Sequence, residues 1–438
     1  MGTFVPTTAS EREEMLRVIG VGSVDDLFRD VPPQMLLHGA LNLAPGKSEM
    51  ETWETVSALA EKNRVFPVCL RGAGSYRHYI PAAVRAVASR EEFVTAYTPY
   101  QAEISQGILQ AIFEYQTMMC ELTGMDVSNA GVYDGGTAAA EALTMCRDRK
   151  RSRACVSAAV DPQVLETMRT YCFGSGTELC VVPAKDGKTD AEALRRLLGD
   201  DAACFYVQQP NYYGILEDVE ELGEITRAAG AKYVMGVNPI SLGLLRTPAE
   251  CGADVAVGEG QPLGLETAFG GPYLGFMAAT GAMMRRLPGR IVGRTRDVDG
   301  KTGYVLTLSA REQHIRREKA SSNICSNEQL CALTAGVYLA ALGEAGVKQA
   351  ATLCLSKAHY FARQLEEQLG WKRRYGGEFF HEFLSECPNP GRALAVLAEH
   401  GILGGLPVDG GILWCVTELV SREQMDRAVA IMREGNVR

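Results

Sequence analysis

Between residues 154 and 257, short apolar runs alternate with amphipathic stretches, and no other feature of this chain constrains its fold so much. The segments 154–156, 179–182, 203–208, 232–237 and 254–257 have the length and apolar character of strands, and segments such as 164–171 and 191–198 between them have helical periodicity. Strands separated by helices return in the same direction, so the pattern predicts a mostly parallel sheet with helices on both faces. A chain of 438 residues has room for this domain and a second one.

The flanking segments are read in the same way. Residues 1–45 read as a short helical arm, with Ser10/Glu13 and Ser23/Asp26 as capping pairs and Pro32-Pro33 as a stop. Over 101–123 a stripe of Ile104, Ile108, Ile112, Tyr115, Met119 and Leu122 predicts a helix closed by Gly124. Asp299-Gly300 marks a hairpin between 290–298 and 302–308. Ser309/Glu312 and Ser326/Gln329 suggest capped helices over 310–320 and 327–342. After Gly346, helices over 350–369, 391–399 and 422–434 alternate with strands over 379–384 and 412–417. The expected organisation is an arm (1–45), a large α/β domain (46–325), and a connecting helix with a smaller α/β domain (326–438).

Composition excludes several classes of function. Forty-four basic residues against 53 acidic ones, with no long basic block, argue against a nucleic-acid surface. The 13 cysteines show no C-x-x-C and the six histidines no helical H-x-x-H or H-x-x-x-H pair, so no sequence-local metal site is expected. Scattered thiols, with Cys69, Cys204 and Cys415 inside apolar runs, fit core packing in a reducing, cytoplasmic compartment. The nearly apolar run 331–343 is too short to span a bilayer and reads as a buried helix, so no membrane partner is expected.

Two features bear on chemistry. Asp134-Gly135-Gly136-Thr137 opens a helix; alone the motif is weak and reads first as a tight turn with a capping Thr, while glycines beside first-turn N–H groups also suit a phosphate cradle. From Tyr233 to Gly300 there are 68 residues without a lysine. In pyridoxal-phosphate enzymes of the aspartate-aminotransferase type, one strand end carries an Asp for the pyridine nitrogen and the next is followed by the Schiff-base Lys. Here those places fall on Asn238 and on Gly258-Glu259-Gly260-Gln261-Pro262. An amide holds a protonated pyridine less well than a carboxylate, and Gln261 cannot form an imine.

Several blocks resemble the glycine cleavage system P-protein family. They are Tyr97-Thr98-Pro99-Tyr100-Gln101-Ala102-Glu103-Ile104-Ser105-Gln106-Gly107, Phe113-Glu114-Tyr115-Gln116-Thr117-Met118, and Asp134-Gly135-Gly136-Thr137-Ala138-Ala139-Ala140-Glu141. Gly258-Glu259-Gly260-Gln261-Pro262-Leu263-Gly264, Phe269-Gly270-Gly271-Pro272-Tyr273-Leu274-Gly275, the run 306–327 and Cys415-Val416-Thr417-Glu418 continue the match. The resemblance implies fold type I of the pyridoxal-phosphate-dependent transferases, an α/β fold with a large domain of mostly parallel sheet and a smaller C-terminal α/β domain. It also implies glycine decarboxylation on pyridoxal phosphate, with the aminomethyl group passed to the lipoyl arm of H-protein. That family's enzyme is one chain of two related halves or two subunits. This chain is similar to the amino-terminal half, subunit 1 or alpha, whereas subunit 2 (beta) supplies the lysine and carries the cofactor.

The resemblance therefore implies an α2β2 assembly, inactive as a lone subunit, in which this chain completes the partner's pocket. Tyr97, Tyr100 and Gln101 are the expected pocket-completing residues. Phe269, Gly270, Gly271 and Tyr273 are expected to touch the partner's cofactor, and Asp134, Gly135, Gly136 and Thr137 are expected to be a relic phosphate site. The basic residues Arg311, Arg316, Arg317 and Lys319 form either a solvated face or a docking site for H-protein. Two alternatives stand beside this: a self-sufficient decarboxylase using Lys232 or Lys301, and a non-catalytic scaffold or regulator of the same fold.

Overall fold

The computed structural model describes residues 6–37, 39–309, 312–320, 322–435 and 437. Residues up to Arg64 form one compact unit and those from Val65 onward a second. In the first, the helices Ala9–Ile19 and Glu49–Ala60 each open with a complete capping box, Thr8 with Glu11 and Ser48 with Glu51. Thr8 thus caps the first helix where Ser10 was expected, because its hydroxyl sits one turn before the first free N–H groups. The Ser23/Asp26 pair does form, Asp26 accepting from the Ser23 N–H at 2.8 Å, but it opens only the 3-10 turn Asp25–Phe28. Among the described residues none of this unit is buried, and Trp53 is 74% exposed.

The second unit is built on a seven-stranded sheet: β1 (Val127–Ser128), β2 (Arg153–Ser157), β3 (Leu179–Val182), β4 (Ala202–Gln209), β5 (Lys232–Val237), β6 (Val255–Glu259) and β7 (Gly275–Ala279). Its spatial order is β1-β7-β6-β5-β4-β2-β3. The pairs from β3 through β2, β4 and β5 to β6 are parallel, and β7 alone runs against its neighbours. All five strands expected from the apolar runs are present, within two residues at each end.

Alternation along the central strands explains why they read as continuous apolar runs. Phe205, Val207, Tyr233 and Met235 enter the core on one face, and Cys204, Tyr206 and Val234 that on the other. The first face is covered by α1 (Gln106–Thr123), α4 (Ala191–Leu197), α5 (Val219–Ala228) and α6 (Gln329–Leu369), the second by α2 (Gly135–Cys146) and α3 (Pro162–Ser175). The helix α1 starts five residues later than its apolar stripe suggests. Ile104 is 79% exposed, and the Gln101 carbonyl accepts from the Ile104 and Ser105 N–H groups in a separate turn.

The hairpin about Asp299-Gly300 pairs β8 (Ile291–Arg296) with β9 (Thr302–Thr307). The helix expected over 310–320 is instead two short turns, Gln313–Arg316 and Arg317–Lys319, broken where Arg317 takes φ +52°; Ala310 and Arg311 lie outside the described residues. Ser326 does not cap α6. Its expected partner Gln329 donates instead to the Ala96 carbonyl at 2.8 Å. The two helices expected over 327–342 and 350–369 follow one another within α6 and are joined across a kink at Gly343 (φ +61°, ψ −179°). A smaller sheet, β10 (Glu382–Glu386), β12 (Gly411–Cys415) and β11 (Leu406–Val408), packs with α7 (Pro390–Glu399), α8 (Arg422–Glu434) and the latter half of α6 around Trp414. Leu70 joins this core, and Val68 and Cys69 pair in parallel with Ile402 and Leu403. Nine of the 13 cysteines are buried, in keeping with a packing role; Cys325 is exposed.

The Gly343 conformation is open only to glycine, whereas a methyl group there would meet no neighbour. Gly343→Ala should therefore cost about 1–3 kcal/mol from the backbone alone. Gly174→Ala, in the last turn of α3 with equally open surroundings, should be neutral or stabilise by up to about 1 kcal/mol. Denaturant melts of the two variants check the contrast; a shift in the same direction for both would refute it.

Candidate functional site

The carboxyl ends of parallel strands are where open α/β sheets bind ligands. In this chain a cavity of about 810 Å³ lies there, reached by Gln208 of β4, Val237 of β5 and Glu259 of β6. The starts of α2 and α3 close one side, and Ser75, Tyr76, His381 and Glu382 close another. Five carboxylates line it, Asp134, Asp161, Glu259, Glu266 and Glu382; among the described residues no lysine or arginine does.

At the centre is Glu259, the last residue of β6. One carboxylate oxygen accepts the Gly135 N–H at 2.9 Å, and the other accepts the N–H groups of Gln261 at 2.8 Å and Leu274 at 3.0 Å. Burial, the largest influence, raises this carboxyl to about 7 against the pull of those three donors. Gly135 has to be glycine, since a Cβ there would lie 2.9 Å from the Glu259 Cβ. Asp134 caps the same helix by accepting the Thr137 N–H at 2.7 Å. The expected phosphate cradle is thus a helix start whose Gly135 and Thr137 donors are held by the chain's own carboxylates.

The two positions expected to face a cofactor ring and aldehyde are also engaged. Asn238 turns its carbonyl oxygen back to the Ile240 N–H at 2.9 Å, leaving its amide 3.5 Å from His381 Nε2. Gln261, 1% exposed, is clamped to the backbone: it accepts the Tyr76 N–H and donates to the carbonyls of Tyr76 and Leu265, at 2.7–2.9 Å. Across the cavity, Glu382 accepts the Ala73 N–H at 2.6 Å and the Tyr76 hydroxyl at 2.7 Å. Burial raises the Glu382 carboxyl to about 7 and depresses His381 to about 3. A second knot lies nearby. Glu418 accepts from His78 Nδ1 at 2.8 Å, the Tyr79 N–H at 2.6 Å and the Cys354 thiol at 3.3 Å. Burial opposes ionisation of Glu418, but the His78 hydrogen bond and charge bring it down to about 2.

Of the residues singled out in the sequence, Asp134, Gly135, Gly136, Phe269, Gly270 and Tyr273 line this one cavity. Tyr273 donates to the Thr267 carbonyl at 3.0 Å and meets the Ser75 hydroxyl at 2.5 Å, holding the loop 266–273 at the rim. Phe269 stands on that loop at φ +54° and 99% exposed. Thr137 and Gly271 are not part of the lining, and neither are Tyr97, Tyr100 and Gln101. Tyr97 is 92% exposed. Tyr100 is half-buried under the Arg290 guanidinium, 5.0 Å from its ring, and its hydroxyl accepts the Asn327 N–H at 3.4 Å.

A phosphorylated pyridine cofactor does not fit this donor set. It needs cations or free N–H groups for its phosphate and a lysine for its aldehyde, and the lining offers carboxylates instead. The sequence reading missed Glu382, Asp161, Tyr76 and His381. Glu259 had a local signal, an acid between two glycines at the end of a buried strand; Glu382 had none, since its partners lie about 300 positions away.

Three carboxyls, the buried Glu141 and Glu382 and the part-buried Glu259, are each raised by burial to about 7. A carboxyl whose folded value exceeds its unfolded one favours the folded state below the unfolded value, and that advantage is lost as pH rises through the folded value. Stability from these groups should therefore fall between about pH 4.5 and pH 7. Glu382→Gln, which keeps the acceptor for Ala73, should flatten that slope in thermal melts. An unchanged slope would show that Glu382 does not titrate in this range.

A profile of the family described as Glycine cleavage system P-protein matches residues 2–432. A Moorella thermoacetica protein described as "Probable glycine dehydrogenase (decarboxylating) subunit 1" is 50% identical over 440 residues, covering 98% of this chain and 99% of its own. Its counterpart in Geobacillus kaustophilus is 48% identical over 444 residues, covering 99% of each chain. A crystal structure of glycine decarboxylase (P-protein) of the glycine cleavage system, in inhibitor-bound form, superposes with a TM-score of 0.92 at 40% identity, over 99% of this chain and 100% of that one. A sphingosine-1-phosphate lyase from Burkholderia pseudomallei, with a TM-score of 0.65 at 14% identity over 91% of this chain and 92% of its own, shares the fold alone. That fold is the type I fold of pyridoxal-phosphate-dependent enzymes, as the sequence implied. The chain belongs to the glycine cleavage system P-protein family.

Proposed function

We propose that this chain is subunit 1 of a glycine decarboxylase, the P-protein of the glycine cleavage system, and that it is catalytically silent alone. The observation that carries this reading is a fold-type-I cavity lined, among the described residues, by no lysine, in a chain 50% identical over 98% of its length to a protein named as a subunit 1. With a second subunit that holds pyridoxal phosphate, the complex decarboxylates glycine and passes the aminomethyl group to the lipoyl arm of H-protein in the cytoplasm, as an α2β2 assembly. The chain's own residues act by closing and orienting the partner's pocket.

Two aromatic positions support that role. Tyr97 and Phe269 present nearly whole rings to solvent in the isolated chain, and large exposed aromatics are characteristic anchors of protein interfaces. Tyr100 brings a phenol beside the Arg290 guanidinium, where it is braced for contact by its bond to the Asn327 backbone. The self-sufficient alternative lacks support, because neither proposed lysine lies on the cavity. Lys232 pairs with Asp254 at 2.8 Å, at the opposite end of β5 from Val237, and Lys301 sits on the exposed hairpin turn 3.9 Å from Asp299. A scaffold role would leave Tyr97 and Tyr100 without effect on turnover.

Borohydride reduction of the purified chain with pyridoxal phosphate should label no specific lysine, and glycine decarboxylation should require added subunit 2 and H-protein. Specific labelling together with turnover by the chain alone would overturn the assignment. In the reconstituted complex, Tyr97→Phe and Tyr100→Phe should each lower turnover by about tenfold, the worth of one well-formed hydrogen bond. Sedimentation should show assembly intact; unchanged decarboxylation in both variants would remove these residues from the pocket.

A further inference from the structure

The cavity keeps the size of a ligand site but reverses the charge that its fold position would lead one to expect. A helix start at the mouth of a parallel sheet attracts anions through its first N–H groups and its dipole. The start of α2 is such a place, on a helix of 12 residues. A carboxylate from a different strand already sits on it. Glu259 bridges three backbone segments, taking N–H groups from the start of α2, the turn after β6 and the approach to β7. The backbone of Gly135 packs directly on that residue, leaving no layer between them for another group.

We propose that Glu259 is the residue that bars phosphorylated ligands from this cavity, its carboxylate serving as a built-in substitute for a bound phosphate. An incoming phosphate would have to displace a side chain with three backbone hydrogen bonds, and it would find Asp134, Asp161 and Glu382 on the same lining and, among the described residues, no compensating cation. Two further replacements act in the same sense: Gln261 is bound to the Tyr76 backbone, and Asn238 spends its carbonyl oxygen on its own turn. The consequence is selective loading. A free pool of pyridoxal phosphate is not divided between a productive and an unproductive site, because this chain refuses it. The inference rests on the reading that the partner carries the cofactor, but its test uses this chain alone and inorganic phosphate, so the two can fail separately.

The test compares the full chain with Glu259→Ala and Glu259→Ser, folding being checked by circular dichroism. Titration calorimetry and thermal melts are run with inorganic phosphate, with pyridoxal phosphate, and with unphosphorylated pyridoxal as control. The wild-type chain should show no saturable binding of any of the three. The variants, with the Gly135, Gln261 and Leu274 N–H groups released, should bind inorganic phosphate at least about tenfold more tightly than wild type and gain stability from it. Pyridoxal phosphate should bind them and pyridoxal should not. If a variant does not fold in chloride, recovery on refolding in phosphate supports the proposal, and no recovery in either variant overturns it. Tight binding of phosphate or pyridoxal phosphate by wild type, or folded variants that gain none, also overturns it.

Discussion

A carboxylate held by three backbone N–H groups ties together the parts of the sheet that would otherwise have to enclose a ligand. Glu259 ends one parallel strand, anchors the first turn of α2, and fixes the entry to the only antiparallel strand of the large sheet among the described residues. Here the organising charge belongs to the chain itself, on the last residue of β6. The upward shift of the Glu259 carboxyl reflects that arrangement: burial makes the charge expensive and the backbone donors offset part of the cost.

The same logic extends around the cavity. Gln261 and Asn238 are structural links, one joining the loop after β6 to Tyr76, the other closing a turn after β5. Tyr76 then passes to Glu382 in the smaller sheet. These side chains spend their polar atoms on the framework that surrounds the cavity. The exposed aromatics Tyr97 and Phe269 lie in separate segments, outside and at the rim of this framework.

Much of this architecture was legible in the sequence. The apolar runs gave the parallel strands to within two residues because both faces of the sheet are covered, which leaves the strands no polar alternation to confuse the reading. Local hydrogen-bonding choices were less legible. Ser10 and Ser326 had the right neighbours for capping but lost to Thr8 and to a tertiary bond of Gln329. The two helices over 327–342 and 350–369 were legible as two, and Gly343, with a conformation open to glycine, marks their join. The cavity's composition was half legible. The lysine-free stretch from 233 to 300 is plain in the sequence, whereas Glu382, His381 and Asp161 reach the site only through distant parts of the chain.

The pairing of Val68 and Cys69 with Ile402 and Leu403 has a consequence for how the protein is made. Arg71 donates to the carbonyls of Gly404 and Gly405, so these bonds close a loop of more than 330 residues. Closing so long a loop comes late in folding, and parallel pairing across it is slow. During synthesis, the segment carrying Leu70 must wait without its partner strand until nearly the whole chain has left the ribosome, and the smaller core cannot be completed before then. The wall of the cavity around Tyr76 is therefore among the last features to be set in place, after the sheet it closes has already formed.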